Sequence, residues 1–280
     1  MQYRQLYERG KERLEKAGVP DAGTDAGLLL MAVCDTDRSF LFAHPEAEVE
    51  AEKEGAFEAL LAKREQRIPL QYLLGRQSFM GLDFYVDENV LIPRQDTEIL
   101  VEEVLRESFD GSRILDICTG SGCILLSLLQ YSNHSSGLGL DLSDGALDVA
   151  RKNAKALGLS ERADFLKSDL LKEAEGSFDI IVSNPPYIET DVIETLMPEV
   201  RDYEPRMALD GKDNGLYFYE QILRQIRPFV KGGTRLYFEI GSGQGKAVEQ
   251  LVLDAGFVDT EVIRDYAGLD RVVRGRYPGL

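Results

Sequence analysis

Apolar side chains recur at helical spacing along the first 75 residues. Tyr3, Leu6, Tyr7 and Leu14 precede a Gly-Val-Pro stop at residues 18–20. Residues 28–31 form a second apolar run, and a third helix is predicted over about residues 46–66, with glutamates at its start, where carboxylates suit a helix N-terminus. This pattern predicts a small all-helical N-terminal domain over residues 1–76.

The pattern then changes to the alternation that is typical of strands. Phe79, Leu82, Phe84, Val86 and Val90 are grouped around the polar residues 87–89, which predicts a β-hairpin linker over residues 77–92.

After the hairpin, short β-rich runs alternate with helical stretches. The predicted strands are 113–117, 137–141, 163–167, 178–183, 234–240, 258–263 and 271–273. Seven strands with intervening helices indicate a mainly parallel, doubly wound sheet. We therefore predict an α/β fold, with a seven-stranded Rossmann-like domain over residues 93–280.

Composition narrows the classes of function. The chain has 32 Lys and Arg against 49 Asp and Glu, a net charge of -17 that repels a phosphate backbone unless a basic groove is locally segregated. The three cysteines and two histidines match no zinc-ligand spacing, so neither a disulfide framework nor a metal site is expected. No apolar run approaches the ~20 residues that span a bilayer, and a soluble, cytoplasmic protein is predicted.

A glycine turn follows the first predicted strand of the sheet. It consists of Cys118, Thr119, Gly120, Ser121 and Gly122, and it leads into a helical stretch. The two glycines permit positive φ and close approach of a ligand to the backbone, while the helix N-terminus offers unpaired N–H groups. The turn alone is weak support for a nucleotide-like ligand.

The residues around the turn indicate which nucleotide it binds. Leu125 stands where a dinucleotide fingerprint needs a small residue, which argues against NAD or FAD. Asp141 ends the second strand and can accept both hydroxyls of a ribose. Asp169 and Leu170 follow the third strand, where they provide an acceptor for an adenine amino group and an apolar contact. Adenosine without a pyrophosphate site predicts S-adenosyl-L-methionine, with S-adenosyl-L-homocysteine as product.

The most specific string is Asn184, Pro185, Pro186 and Tyr187, at the end of the fourth strand. The prolines fix the loop and have no N–H, so the Pro185 carbonyl and the Asn184 amide oxygen can accept hydrogen bonds from an –NH2 group. Tyr187 can stack on a planar amide or base. Because the lone pair of such a nitrogen is delocalised, the two hydrogen bonds are predicted to localise it for attack on the methyl group.

These strings resemble the PrmC/HemK family of release factor glutamine methyltransferases over nearly the whole chain. Further strings that resemble family landmarks lie at residues 69–75, 79–82, 91–98, 203–205, 208–209, 215–216, 239–241 and 265–273. The resemblance implies an S-adenosylmethionine-dependent methyltransferase domain behind a helical substrate-docking domain. It also implies cofactor contacts at residues 118–122, Asp141, Leu170 and Asn184, and glutamine recognition at residues 184–187.

The resemblance further implies the substrate, which is the glutamine of the Gly-Gly-Gln motif in peptide chain release factors 1 and 2. A monomer without metal, direct nucleic-acid partner or membrane contact is expected. Phe79 is a candidate substrate contact, and a core position in the hairpin is an equal alternative. Two residues depart from the family pattern: Gln95 replaces a proline, and Cys118 stands where glycine is common.

Three other functions compete with this interpretation. An adenine amino-methyltransferase can use the same Asn-Pro-Pro-Tyr string, but it needs a basic groove or a target-recognition domain that the sequence does not show. A glutamine methyltransferase acting on a ribosomal protein is closer. A non-catalytic scaffold would be expected to have lost the glycine turn, Asp141 or Asn184, and all three are present.

Overall fold

The computed structural model describes residues 1–279; residue 280, the end of the predicted catalytic domain, lies outside the described residues. The chain divides into two compact units. The helical unit contains Met1–Arg76 together with Met197–Tyr203, and the sheet unit contains Gln77–Leu196 and the chain from Glu204 onward.

The helical unit is built from amphipathic helices whose apolar faces meet in one core. Leu6, Leu14, Leu29, Leu30 and Phe57 are fully buried in that core, which removes apolar surface from water. The helices are α1 (Tyr3–Lys16), α2 (Ala22–Cys34), α3 (Arg38–Ala43), α4 (Ala51–Glu65), α5 (Leu70–Leu74) and, from the returning segment, α9 (Pro198–Tyr203).

The third long helix, α4, begins later than the sequence pattern predicts. Glu48 forms an isolated β-bridge with Gln2, and the Val49 N–H donates to the Met1 carbonyl, so the chain is extended there. Only Glu52 and Glu54 of the glutamate series lie in the first turn of α4. The prediction of a helical start near residue 46 is therefore wrong, because pairing with the chain before α1 replaces helical hydrogen bonding.

A buried ion-pair cluster fixes α9 within the helical unit. Arg64 Nε lies 2.7 Å from Asp25 Oδ2, and Arg64 Nη2 lies 2.9 Å from Glu199 Oε1. Arg67 also donates to both oxygens of Glu199, at 2.6 Å each. Burial raises the pKa of Asp25, and the hydrogen bond from Arg64 opposes that rise.

The hairpin is shorter than predicted, and its turn lies elsewhere. β1 (Gln77–Phe79) pairs antiparallel with β2 (Leu82–Phe84) across a two-residue turn at Met80 and Gly81, both with positive φ. The predicted hairpin around residues 87–89 is wrong: the Asn89 N–H donates to Asp87 Oδ1 at 3.0 Å, so these residues form a local side-chain turn outside any strand.

The large sheet has seven strands in the order β5-β4-β3-β6-β7-β9-β8, and it confirms the predicted α/β fold class. Neighbouring strands from β5 through β7 are parallel, while β9 is antiparallel to β7 and β8. The strands are β3 (Arg113–Ile117), β4 (Ser136–Asp141), β5 (Ala163–Lys167), β6 (Phe178–Ser183), β7 (Val230–Glu239), β8 (Val258–Arg264) and β9 (Asp270–Arg276).

Helices cover both faces of this sheet, because successive residues of each buried strand point to opposite sides. Ile180 and Val182 of β6 pack into one core, whereas Ile181 packs into the other. The helices of the sheet unit are α6 (Glu98–Glu107), α7 (Cys123–Gln130), α8 (Asp144–Ala156), α10 (Tyr217–Gln225) and α11 (Gly245–Asp254). The chain order of the strands reverses between β3 and β6, which creates a crevice at their carboxyl ends.

Candidate active site

A cavity of about 270 Å³ lies at the carboxyl ends of β3, β4, β5 and β6, where open α/β sheets bind their ligands. It brings together side chains that are far apart in the sequence. The predicted site residues on its wall are Cys118, Thr119, Gly120, Ser121, Asp141, Asp169, Leu170, Asn184 and Pro186.

The glycine turn after β3 has the left-handed backbone that the sequence predicts. φ is 62° at Cys118, 54° at Gly120 and 77° at Gly122. A Cβ on Gly122 would lie 3.1 Å from Leu126 Cδ1, whereas a Cβ on Gly120 would meet no protein atom within 4 Å. Gly122 therefore serves packing, and Gly120 leaves its space to a ligand. Gly122 at the start of α7 has no side chain to cap the helix, and the Leu125 N–H of the first turn is directed to the Asp116 carboxylate, whose pKa it lowers.

Cys118 has a positive φ, a backbone conformation that favours glycine. This explains why glycine fits the family pattern at this position. A non-glycine residue in this region brings its Cβ close to the following carbonyl oxygen, at a cost of roughly 1–2 kcal/mol. Burial also raises the pKa of the Cys118 thiol, so the side chain is neutral at physiological pH.

Asp141 is joined directly to the glycine turn. Its Oδ2 accepts a hydrogen bond from the Gly120 N–H at 2.9 Å, and its Oδ1 accepts one from the Ser143 N–H at 2.9 Å. Burial raises the pKa of this carboxyl, and the backbone hydrogen bonds oppose that rise. Each oxygen keeps a further lone pair, so the carboxylate can still accept two hydroxyl groups.

The loop after β5 presents an apolar side chain and a carboxylate at the cavity wall. Leu170 is buried with a φ of 55°, and the Ser168 hydroxyl donates to its carbonyl at 2.7 Å. The Asp169 carboxylate is half exposed and lies 2.5 Å from Lys172 Nζ. Leu170 is thus held by the fold, whereas Asp169 already has a surface partner.

The Asn-Pro-Pro-Tyr loop begins where β6 ends beside β3. The Ser183 hydroxyl donates to the Ile117 carbonyl at 2.6 Å and so joins the two strand ends. Asn184 lines the cavity, and its Nδ2 lies 3.4 Å from Thr97 Oγ1. Pro185 and Tyr187 are absent from the wall among the described residues, and the Tyr187 hydroxyl lies 3.4 Å from Glu239 Oε1.

Phe79 is not brought together with the other predicted residues. It is 1% exposed and packs edge-on against Phe84, with ring centroids 6.1 Å apart. The structure places it in the core beneath α6 and α7 rather than on the cavity wall.

Several wall residues carry no signal of a site in the sequence pattern, among them Arg94, Met207, Lys212 and Phe218. Arg94 Nη2 lies 2.7 Å from each oxygen of Glu204, which is 110 positions away. Burial raises the pKa of Glu204, and the charge of Arg94 opposes that rise. Both lie in strings that resemble family landmarks, but no spacing rule links them across that distance.

Two fully buried acids lie behind the cavity. Asp116 accepts a hydrogen bond from the Thr119 hydroxyl at 2.6 Å, and burial raises its pKa to about 7. Burial likewise raises the pKa of Glu239 to about 7, against the effects of Thr97, Arg271 and Tyr187. One oxygen of each carboxyl, Asp116 Oδ1 and Glu239 Oε2, has no hydrogen-bond partner among the described residues.

No group of three or more His, Cys, Asp and Glu side chains among residues 1–279 could hold a metal ion. None of the helices described here is both long enough and apolar enough to cross a membrane.

Comparison with known families divides the chain into two parts. The PrmC N-terminal domain matches residues 5–75, and the methyltransferase small domain matches residues 94–199. These two matches correspond to most of the helical unit and to the central strands of the sheet unit.

Curated relatives match the chain over nearly its full length. A release factor glutamine methyltransferase from Clostridium botulinum is 41% identical over 276 residues, covering 97% of this chain and 98% of the relative. One from Geobacter sulfurreducens is 40% identical over 274 residues, covering 98% and 96%. One from Caulobacter vibrioides is 40% identical over 272 residues, covering 96% and 94%.

Solved structures share the fold at low sequence identity. The hMettl16 catalytic domain, solved with the MAT2A 3′UTR hairpin 6, is 17% identical with a TM-score of 0.57, over 77% of this chain and 81% of that one. A methyltransferase from Pyrococcus furiosus is 17% identical with a TM-score of 0.54, over 72% and 92%. At this identity the likeness is one of methyltransferase fold alone.

Proposed function

The chain belongs to the family of release factor glutamine methyltransferases, and from that premise we propose that it methylates the side-chain nitrogen N5 of the glutamine in the Gly-Gly-Gln motif of release factors 1 and 2. The methyl donor is S-adenosyl-L-methionine. The observation that carries the proposal is the position of Asn184, which enters the same cavity as Gly120 and Asp141.

The cavity suits the adenosine part of this donor. Asp141 offers both carboxylate oxygens to ribose hydroxyls, and Gly120 leaves room for a ligand at the backbone. Leu170 provides an apolar wall for a base, and the start of α7 provides N–H donors. The bound donor supplies an electrophilic methyl group on a sulfonium sulfur.

Asn184 and the Pro185 carbonyl are proposed to hold the substrate amide. Each accepts one hydrogen bond from the glutamine –NH2 group, which favours pyramidal geometry at nitrogen and stabilises the positive charge that develops during attack. A bond then forms between this nitrogen and the methyl carbon as the carbon–sulfur bond breaks. The sulfur keeps the electron pair of that bond, and the nitrogen releases one proton to solvent.

The helical unit is proposed to dock the release factor, and a cytoplasmic location is proposed because the substrate is a translation factor. The PrmC N-terminal domain match over residues 5–75 supports this docking role, because it covers the helical unit and not the sheet unit. The net charge of -17 favours a protein substrate over a nucleic acid.

Replacing Asn184 tests this function. Asn184→Ala removes the side-chain acceptor while both prolines keep the loop in shape, so the fold and most cofactor affinity are retained. Loss of one preorganised hydrogen bond is expected to raise the barrier by about 2.7–4 kcal/mol, which lowers the rate by about 10²–10³. The measurement is single-turnover methyl transfer to a purified release factor, followed by mass at the glutamine.

Asn133→Ala serves as the matched control, since the exposed Asn133 side chain donates to Asp110 at the surface. Circular dichroism establishes that each variant is folded. A folded Asn184→Ala enzyme that transfers methyl within about threefold of the wild-type rate would show that this amide does not hold the substrate.

A further inference from the structure

We propose that Thr97 and Glu239 are positioning residues that determine which end of the Asn184 amide faces the substrate. Neither residue belongs to the predicted site, and the inference rests on the proposed function of Asn184. The two ends of the Asn184 amide have similar shapes, and these two residues would explain why the oxygen, and not the nitrogen, faces the substrate glutamine.

The contacts form a short polar chain from the cavity into the core. Asn184 Nδ2 lies 3.4 Å from Thr97 Oγ1, and Thr97 is 2% exposed. Glu239 is 1% exposed, and a hydrogen bond from the Thr97 hydroxyl is among the causes that hold its pKa down against burial. A wall residue is thus connected to a fully buried carboxylate through a single hydroxyl.

The Glu239 carboxylate determines which groups donate and which accept in this series of hydrogen bonds. An ionised carboxylate only accepts hydrogen bonds, so the Thr97 O–H must donate to Glu239. The oxygen of Thr97 is then left as an acceptor for Asn184, and only the –NH2 end of the amide can donate to it. The amide oxygen consequently faces the cavity, where it can accept from the substrate –NH2 group.

Glu239 also contacts the other end of the Asn-Pro-Pro-Tyr loop. The Tyr187 hydroxyl lies 3.4 Å from Glu239 Oε1, while Glu239 Oε2 has no partner among residues 1–279. The carboxyl therefore has spare acceptor capacity. Glu239 thus contacts Tyr187 at one end of the loop directly and Asn184 at the other end only through Thr97, and this geometry fits positioning better than packing.

Protonation of Glu239 would reverse the direction of the hydrogen bonds that join Glu239, Thr97 and Asn184. A neutral carboxyl can donate to Thr97, which frees the threonine O–H to donate to the amide oxygen and lets Asn184 turn its –NH2 group toward the substrate. Burial raises the pKa of Glu239 to about 7, so this change falls in the physiological range. The titratable and charged groups around Glu239 are Arg271, Asp96, Tyr187, Tyr219 and Cys123.

The test uses full-length enzyme and single-turnover methyl transfer to a release factor. Thr97→Val keeps the shape but removes the hydroxyl, and we expect its rate to fall at least about tenfold, with S-adenosylhomocysteine affinity within about twofold of wild type. Thr97→Ser restores the hydroxyl and is expected to recover the rate to within about threefold. Thr195→Val is the matched control, because the exposed Thr195 hydroxyl donates to the Val192 carbonyl.

A pH profile separates positioning from a structural role. The wild-type rate is expected to fall as pH drops through the pKa of Glu239, whereas Glu239→Gln, which cannot titrate, is expected to lose this acid limb and to be slower above it. If Thr97→Val does not fold, this profile decides the question. An unchanged acid limb in Glu239→Gln, or a folded Thr97→Val within about threefold of wild type, overturns the proposal.

The two proposals fail in different ways. Wild-type enzyme that methylates no release factor at any pH contradicts the proposed function. Wild-type enzyme that is active, with Thr97→Val equally active, contradicts only the positioning role.

Discussion

Asp141 holds the glycine turn and offers acceptors to a ligand at the same time, because each of its oxygens takes one backbone N–H and keeps a lone pair. Asp141→Ala is expected to weaken S-adenosylhomocysteine binding by ~1.5–3 kcal/mol, since hydrogen bonds to a charged acceptor are lost. Isothermal titration measures this directly. Asp144→Ala removes an exposed carboxylate three positions away and should bind as wild type does; equal affinity for all three proteins would contradict a ribose contact.

Asp116 makes the stability of the fold depend on pH. Burial raises its folded-state pKa to about 7, above the unfolded value near 3.9. The folded state therefore binds the proton more tightly, so this contribution is fully present below the unfolded pKa and is lost as pH rises through about 7. Asp116→Asn should show a smaller drop in the free energy of unfolding than wild type between about pH 5 and about pH 8.

Urea unfolding at both pH values measures the effect of Asp116, with the cofactor absent throughout. The amide oxygen of asparagine can still accept from the Thr119 hydroxyl, so the turn keeps its contact. If wild type and Asp116→Asn lose the same free energy over this range, the carboxyl does not titrate there.

At the scale of elements, the ion-pair cluster of Arg64, Asp25 and Glu199 is buried in the helical unit, so loss of one partner leaves an unpaired charge there. Arg64→Met would leave Asp25 buried without its cation, while Glu199 keeps Arg67. Breaking such a buried pair is expected to cost about 3–5 kcal/mol of unfolding free energy. Arg4→Met removes an exposed pair with Glu46 and is expected to cost about 0–1 kcal/mol. Denaturant unfolding that finds equal losses in both variants would contradict this ranking.

The elements that could be predicted from the sequence are those whose pattern is local. The alternation in β6 and the glycines after β3 are determined by side chains within a few residues, and their structure follows the prediction. The hairpin turn was misplaced because Met80 and Gly81 carry a weaker turn signal than residues 87–89. The start of α4 was misplaced because its competitor, the bridge to Gln2, is distant in sequence.

The site shows the same division between local and distant determinants. Gly120, Asp141 and Asn184 follow strands, so parallel pairing at one sheet edge predicts that they meet. The contacts Arg94–Glu204 and Thr97–Asn184 span 110 and 87 positions, so they form only once distant parts of the chain have folded together. No spacing rule encodes such a contact.

At the scale of the whole molecule, the sheet does not determine the substrate. Structures with the same fold include a catalytic domain solved with an RNA hairpin, at only 17% identity. Besides the sheet, this chain has a net charge of -17 and a helical unit matched by the PrmC N-terminal domain. The proposed docking role of that unit is therefore the part of the function that most needs a test on the intact chain.

A simple deletion of residues 1–76 would not remove a self-contained unit. The segment Met197–Tyr203 belongs to the helical unit, so the deletion strips Glu199 of Arg64 and Arg67. The same segment continues into Glu204 and Pro205, and Pro205 lines the cavity. A chain cut by a protease site inserted between Arg76 and Gln77 is the matched control, because it breaks the covalent connection and keeps every noncovalent contact of Glu199.

We expect the cut chain to methylate release factor with kcat/KM within about threefold of the intact enzyme, since its contacts persist. The fragment that begins at Gln77 should still bind S-adenosylhomocysteine, because Gly120 and Asp141 lie in the sheet unit. Its kcat/KM for release factor should fall by at least about tenfold, which corresponds to about 1.4 kcal/mol of lost interaction in the transition state. A fragment that matches the intact enzyme in kcat/KM would show that the helical unit takes no part in substrate docking.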